Sequence, residues 1–316
     1  MRYKKLQKAN VEVSEIGVGT WAMGGQHFGP ANRQESIKAI HKMVDMGVNL
    51  IDTAPVYGNG RAEMIVGDVL KEIPRDKVLI STKFGIVPNY FSEGRTRKDA
   101  SFADIVREIE SSLMNLGTDY IDFYFVHWPA VNTPIAETMT ALELLRKKGA
   151  IRFIGVSNFS EEEIEEAEKY GQIDVQQPPY SMVDRSFEGL IKWGYDKGID
   201  SFTYGSLGAG ILSGAIRSMP DYGPNDARHN FYDYYREPKF SKVMELLKVL
   251  DKVAEKHNST VAQTTLNWST QKNYIGTALV GVRDEKHAAD NCSAFDWMLD
   301  QEDIALIDAE LERLGL

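Results

Sequence analysis

The chain has 316 residues, 43% of them hydrophobic and 26% charged, ordinary values for a globular protein with a sizeable core. A formal charge of -10 with no dense Lys/Arg block argues against a general nucleic-acid or membrane-binding surface, because a polyanion would be repelled. Cys292 is the only cysteine, which excludes an internal disulfide and a site built on several thiolates, and it reads as structural.

In chain order, the opening Met1-Arg-Tyr-Lys-Lys lacks the apolar core of a signal peptide, and no later apolar run has the length of a membrane span, so a cytoplasmic location is expected. Residues 3–13 read as a short hairpin around Lys8-Ala-Asn10. Strands are expected at 16–20, 49–53, 78–83, 121–127, 153–157, 174–177, 201–204 and 277–282. Between them lie amphipathic helical segments at 34–46, 102–116, 135–148, 161–170 and 240–257, with a terminal helix over 299–316. Asp104 and Ser160 stand where N-caps are useful, and Gly47, Gly117 and Gly149 where helices should stop. Residues 212–239, rich in Gly, Pro and aromatics and without helical period, read as an excursion loop. Eight β-rich runs alternating with helices predict a (β/α)8 TIM barrel over 1–316 as a single domain, its N-terminal mouth capped by the hairpin.

In such a barrel the active site lies at the C-terminal strand ends, which makes polar residues closing apolar runs the candidates. Asp52, Lys83 and His127 each end a strand, and Tyr57 lies in the loop after Asp52. Singly, each has a bland reading as a cap, a satisfied structural histidine or a packing residue. Together they suit carbonyl reduction: hydride arriving at carbon leaves charge on oxygen, which needs a proton donor. Tyr57 supplies it, an ammonium at Lys83 is expected to favour the phenolate, Asp52 holds the lysine, and His127 hydrogen-bonds the substrate oxygen.

The motifs Leu50-Ile-Asp-Thr-Ala-Pro-Val-Tyr-Gly, Ser81-Thr-Lys-Phe-Gly, Phe125-Val-His-Trp-Pro and Ile154-Gly-Val-Ser-Asn-Phe occur in that order. In them the chain resembles the aldo-keto reductase superfamily from about Ile16 to Asn291, in the bacterial branch that also includes the potassium-channel β subunits. The family's Asp, Tyr, Lys and His tetrad then falls on Asp52, Tyr57, Lys83 and His127. The resemblance implies an NAD(P)H-dependent oxidoreductase reducing aldehydes or ketones to alcohols, or the reverse; a nucleotide-binding regulatory subunit of the same fold is the alternative.

The Gly-rich stretch Gly17-Val-Gly-Thr-Trp-Ala does not fit a Rossmann fingerprint, since Ala22 takes the third position and no helix follows directly. The resemblance instead places Gly19, Thr20 and Trp21 beside the nicotinamide, with Asp52 nearby. It puts Ser157, Asn158 and Gln177 on the carboxamide and Tyr204 stacked on the ring. Ser206, Leu207, Gly208 and Gly210 would then lie at the pyrophosphate, and Gly281, Arg283, His287 and Asn291 at the adenosine end. Arg283 favours NADP(H), whereas His287 and Asp284 weaken that preference, so a modest NADP(H) preference with NAD(H) possible is expected. Trp21, Tyr57 and Trp128 are expected to line the substrate pocket; Tyr90, Phe91 and the run Phe231-Tyr-Asp-Tyr-Tyr235 could wall it or simply pack. His27, His41, His229 and His257 show no paired ligand spacing, and no metal is expected.

Overall fold

The structure, a computed structural model, describes residues 1–26, 28–88, 96–223, 226, 228 and 231–316. Strands β1 (Tyr3–Lys5) and β2 (Glu12–Ser14) pair antiparallel, with Tyr3 opposite Ser14. Between them Asn10 takes the left-handed conformation that closes the turn, φ 53°. The hairpin buries Leu6, Ala9 and Val13 against Leu50, Phe123, Val175, Phe202 and Leu279, and so plugs the N-terminal end of the barrel.

Eight parallel strands close the barrel in chain order: β3 (Ile16–Gly19), β4 (Leu50–Asp52), β5 (Leu79–Phe84), β8 (Ile121–Val126), β9 (Ile151–Ser157), β10 (Val175–Gln177), β11 (Asp200–Thr203) and β12 (Thr277–Gly281). Gly281 lies beside Gly19 where the last strand meets the first. β8 is buried at every residue, the pattern of a strand covered on both faces rather than of an alternating, half-solvated one. A small antiparallel hairpin, β6 (Ile86–Pro88) with β7 (Thr96–Lys98), leaves the barrel after β5.

The outer layer contains α1 (Arg33–Asp45), α2 (Arg61–Leu70), α3 (Phe102–Leu116), α4 (Ile135–Lys147), α5 (Glu161–Glu168), α6 (Glu188–Asp196), α7 (Lys239–Lys256), α8 (Val261–Thr270), α9 (Glu285–Ser293) and α10 (Gln301–Leu314). All eight expected strands and the expected helices form within a residue or two of their predicted bounds. Ser160 caps α5 in a full capping box with Glu163. Asp104 does not cap α3: Ser101 holds the N-cap position, and Asp104 is buried one turn in, bonded to Arg97 and Arg107. Gly117 ends α3 in the left-handed conformation.

The terminal helix α10 is anchored by its own N-terminus. Asp300 caps it, and Lys256 donates to both Asp300 and Asp303 at 2.8 Å. His257, at the end of α7, stacks on Trp297 and approaches Asp303 at 2.6 Å. In the excursion, Asp233–Tyr235 form a single 3-10 turn whose Tyr234 and Tyr235 are buried against α7, so those two rings pack rather than wall a pocket. Phe231 is exposed. Tyr90, Phe91, His27 and His229 lie outside the described residues. No helix among the described residues is long and apolar enough to cross a membrane.

Candidate active site

Asp52 closes β4 and Lys83 stands next to last in β5, so the pleat directs both into the barrel mouth. Lys83 Nζ donates to Asp52 Oδ1 at 2.7 Å and to the Thr53 carbonyl at 2.9 Å. The other oxygen of Asp52 accepts from Ser81 Oγ at 2.7 Å and from Gln177 Nε2 at 2.9 Å. A buried ion pair is tolerable only when its remaining lone pairs are satisfied in this way. Ser81 lies two residues before Lys83 on the same strand face, a placement that period-two alternation could have revealed.

Tyr57 is set by backbone approach. A Cβ on Gly24 would sit 2.7 Å from the Gly58 nitrogen, and one on Gly58 would sit 2.4 Å from the Gly24 carbonyl oxygen. Only glycines let the loop after β3 and the loop after β4 touch there. The contact stacks Trp21 on Tyr57 with centroids 6.1 Å apart. Lys83 Nζ lies 5.1 Å from the centroid of the Tyr57 ring, and the His127 ring meets it edge-on at 6.0 Å. The four residues singled out from sequence therefore converge on one mouth.

The electrostatics differ from the expected direction at Tyr57. Its phenol is held well above the ordinary tyrosine range, first by burial and then by the charge of Asp52. The expected phenolate-favouring influence of Lys83 does not prevail, because desolvation penalises the anion more strongly. Burial also lowers the Lys83 ammonium, with Asp52 opposing that shift. His127 is pushed well below its ordinary value by burial and by the charges of Lys83 and Lys98, so the imidazole is neutral near pH 7. The phenol thus keeps its proton, and the imidazole has one N–H to offer a carbonyl oxygen.

A second layer links this set to the neighbouring strand ends. Asn158 Nδ2 donates to the His127 carbonyl at 2.8 Å and to Ser157 Oγ at 3.1 Å, and its Oδ1 accepts from Tyr204 OH at 3.3 Å. Ser157 Oγ donates to the Gln177 carbonyl at 2.7 Å. The Thr20 nitrogen and hydroxyl both donate to the Asp52 carbonyl, at 3.1 and 3.0 Å. Beneath the site Glu63, which sequence reasoning passed over, accepts from Thr82 Oγ1 at 2.8 Å and Asn115 Nδ2 at 2.9 Å, and burial raises its carboxyl.

These residues fit a dinucleotide cofactor on their own geometry. After Tyr204 the backbone turns through positive φ at Gly205, Gly208, Ala209 and Gly210, and no atom lies within 4 Å of where a Cβ on Gly205 would stand. Such a turn exposes amides to an anion. Ser206 is buried within it, bonded to the Thr203 carbonyl, and Leu207 precedes the 3-10 turn of Gly208–Ser213. Across the mouth Gly281 closes β12, Arg283 Nη2 donates to the Phe28 carbonyl at 3.1 Å, and Asp284 caps α9 while accepting from the His287 nitrogen and facing its ring at 2.8 Å. Asn291 is buried on α9. Trp128 stands beside His127, partly exposed.

A closed parallel barrel with a polar set at its C-terminal mouth defines the class of a barrel enzyme. The aldo/keto reductase family model matches residues 15–312, and the chain belongs to that family. It is 35% identical over 330 residues to the NADH-specific methylglyoxal reductase of Escherichia coli (strain K12), covering 99% of each chain. It is 31% identical over 317 residues to a probable voltage-gated potassium channel subunit beta of Arabidopsis thaliana, covering 94% of this chain and 92% of that one. Among solved structures it is similar to the glycerol dehydrogenase of Gluconobacter oxydans, at a TM-score of 0.90 and 31% identity over 98% of this chain and 95% of that one.

Proposed function

We propose that this chain, as one domain, is a cytoplasmic NAD(P)H-dependent reductase of aldehydes or ketones, working through Asp52, Tyr57, Lys83 and His127. The observation that carries the reading is the cluster itself: a proton-bearing phenol, a buried Lys83–Asp52 pair and a neutral His127 at one barrel mouth. A dihydronicotinamide held at this mouth would supply the hydride for the carbonyl carbon. Tyr57 gives its proton to the carbonyl oxygen, and the nearby Lys83 ammonium stabilises the phenolate left behind. Asp52 keeps Lys83 charged and aimed, while the neutral His127 donates an N–H to the same oxygen and fixes its direction. Ser157, Asn158 and Gln177 would hold the carboxamide, Tyr204 the ring face, residues 205–210 the pyrophosphate, and Arg283, His287 and Asn291 the adenosine end.

The favoured cofactor is NADPH over NADH by a modest margin. Arg283 is the cation assigned to the phosphate end, and it already donates to the Phe28 carbonyl; the Asp284–His287 pair adds little positive charge. A screen of NADPH and NADH oxidation over aldehydes, ketones, sugars and α-dicarbonyls, with polyols in reverse, tests the reading. Turnover of simple aldehydes supports it. No turnover with any of them would favour the regulatory role that the channel-subunit relative suggests.

A further inference from the structure

The rim of the mouth carries a cation that carbonyl reduction leaves unused. Lys98 ends β7 and is exposed, and its Nζ stands 4.1 Å from the centroid of Trp128, the residue directly after His127. No carboxylate among the described residues pairs with it, whereas its neighbour Arg97 is bound to both Asp99 and Asp104. An aromatic face holds an ammonium without neutralising it, so the charge stays available to an incoming group. That charge reaches into the site, since Lys98 is among the groups that keep His127 neutral. The charge of Asp184 acts instead on the phenols of Tyr204 and Tyr232. Both charges that act on the His127 imidazole, Lys83 and Lys98, are positive. In a chain of net charge -10 this is a local exception to the prevailing field.

We propose that Lys98 and Trp128 form an anion-accepting subsite, so that the preferred carbonyl substrates carry a carboxylate or another anionic substituent. The inference rests on the reductase reading above and names its substrate class. Trp128 offers a flat apolar surface to the body of the substrate, and Lys98 meets its charge. The redox step is unchanged: hydride goes to the carbonyl carbon, the Tyr57 proton to oxygen, and the nicotinamide is oxidised. The subsite acts on substrate capture, and its effect belongs in KM.

The test compares para-carboxybenzaldehyde with its neutral methyl ester, which present the same carbonyl with and without a charge. In the unaltered protein kcat/KM is expected to favour the acid, through KM, with an advantage that shrinks as salt is raised. Lys98→Met keeps the stem over Trp128 and removes the charge; the acid-to-ester ratio of kcat/KM should fall about fivefold, the scale of a partly exposed ion pair. Lys98→Glu should lower the ratio further, and Lys98→Arg should restore it. Because each variant serves as its own reference through the ester, a general loss of activity does not imitate the effect. An unchanged ratio in both Lys98→Met and Lys98→Glu overturns the subsite. Failure of the unaltered protein to oxidise NADPH or NADH with either aldehyde is a different result, and overturns the reductase reading instead.

Discussion

Lys83 Nζ lies 2.7 Å from Asp52 Oδ1, with both side chains almost entirely shut off from water. Removing one partner of such a pair leaves an uncompensated buried charge, so Lys83→Met should destabilise the fold by about 3–5 kcal/mol as well as abolish turnover. The double variant Asp52→Asn with Lys83→Met leaves no orphaned charge and should recover much of that stability while remaining inactive. Denaturant unfolding of the three proteins checks this. Equal stability of the single and double variants would mean that the pair is not coupled in the fold.

His127 gives the acid side of the stability curve a sign. Its folded value is depressed, so below the ordinary imidazole value of about 6.5 the unfolded chain binds a proton that the native state refuses. Stability is full above that pH and falls as pH drops, by at most about 1.4 kcal/mol per pH unit from this group. In His127→Gln the loss between pH 6.5 and pH 5 should be shallower, measured by urea unfolding at both values. A slope identical to that of the unaltered protein would show that His127 titrates normally.

The excursion loop should respond to cofactor. Arg228 lies over Tyr222 at 3.7 Å and over Phe28 at 5.9 Å, and Phe28 also receives Arg283, which connects the excursion to the loop after β3 across the proposed adenosine end. Saturating NADPH should slow limited proteolysis within residues 212–239, and Arg228→Ala should weaken that protection. Equal cleavage with and without cofactor would defeat the idea that this segment closes on it.

Arg283→Ala tests the cofactor end by itself. NADPH binding should weaken by roughly 1.5–3 kcal/mol, the scale of a hydrogen bond to a charged group, with NADH barely affected. Titration of both cofactors against both proteins decides it, and an equal loss for the two would remove Arg283 from the 2′-phosphate.

The barrel and its tetrad were legible because each depends on local pattern. Strand runs end on Asp52, Lys83 and His127, and parallel topology brings strand ends together wherever the chain closes. What sequence could not convey is how those groups are paired. Gln177 donates to Asp52 from 125 positions away, a contact set only by closure of the barrel. The direction of the Tyr57 shift is not legible in sequence, because residue types show which charges are near but not how far the phenol is shut off from water, and burial together with Asp52 sets it. Asp104 resembled a cap from its position at the helix start, yet the helix begins at Phe102 and its carboxylate turns inward to Arg97 and Arg107. Lys98 gave no signal, because its place over Trp128 depends on a hairpin that folds back to the rim.

Proton donation by Tyr57 is tested most directly by the steady-state turnover of Tyr57→Phe on any aldehyde the unaltered protein reduces, alongside its cofactor affinity by fluorescence titration. The substitution removes one oxygen and almost no volume, and the Trp21 and His127 rings that meet Tyr57 can still pack against the phenyl group. Turnover should fall at least ~10²-fold, the lower range for a positioned general acid, with cofactor binding nearly unchanged. Near-normal turnover with intact cofactor binding would contradict the proposed chemistry and remove Tyr57 from it.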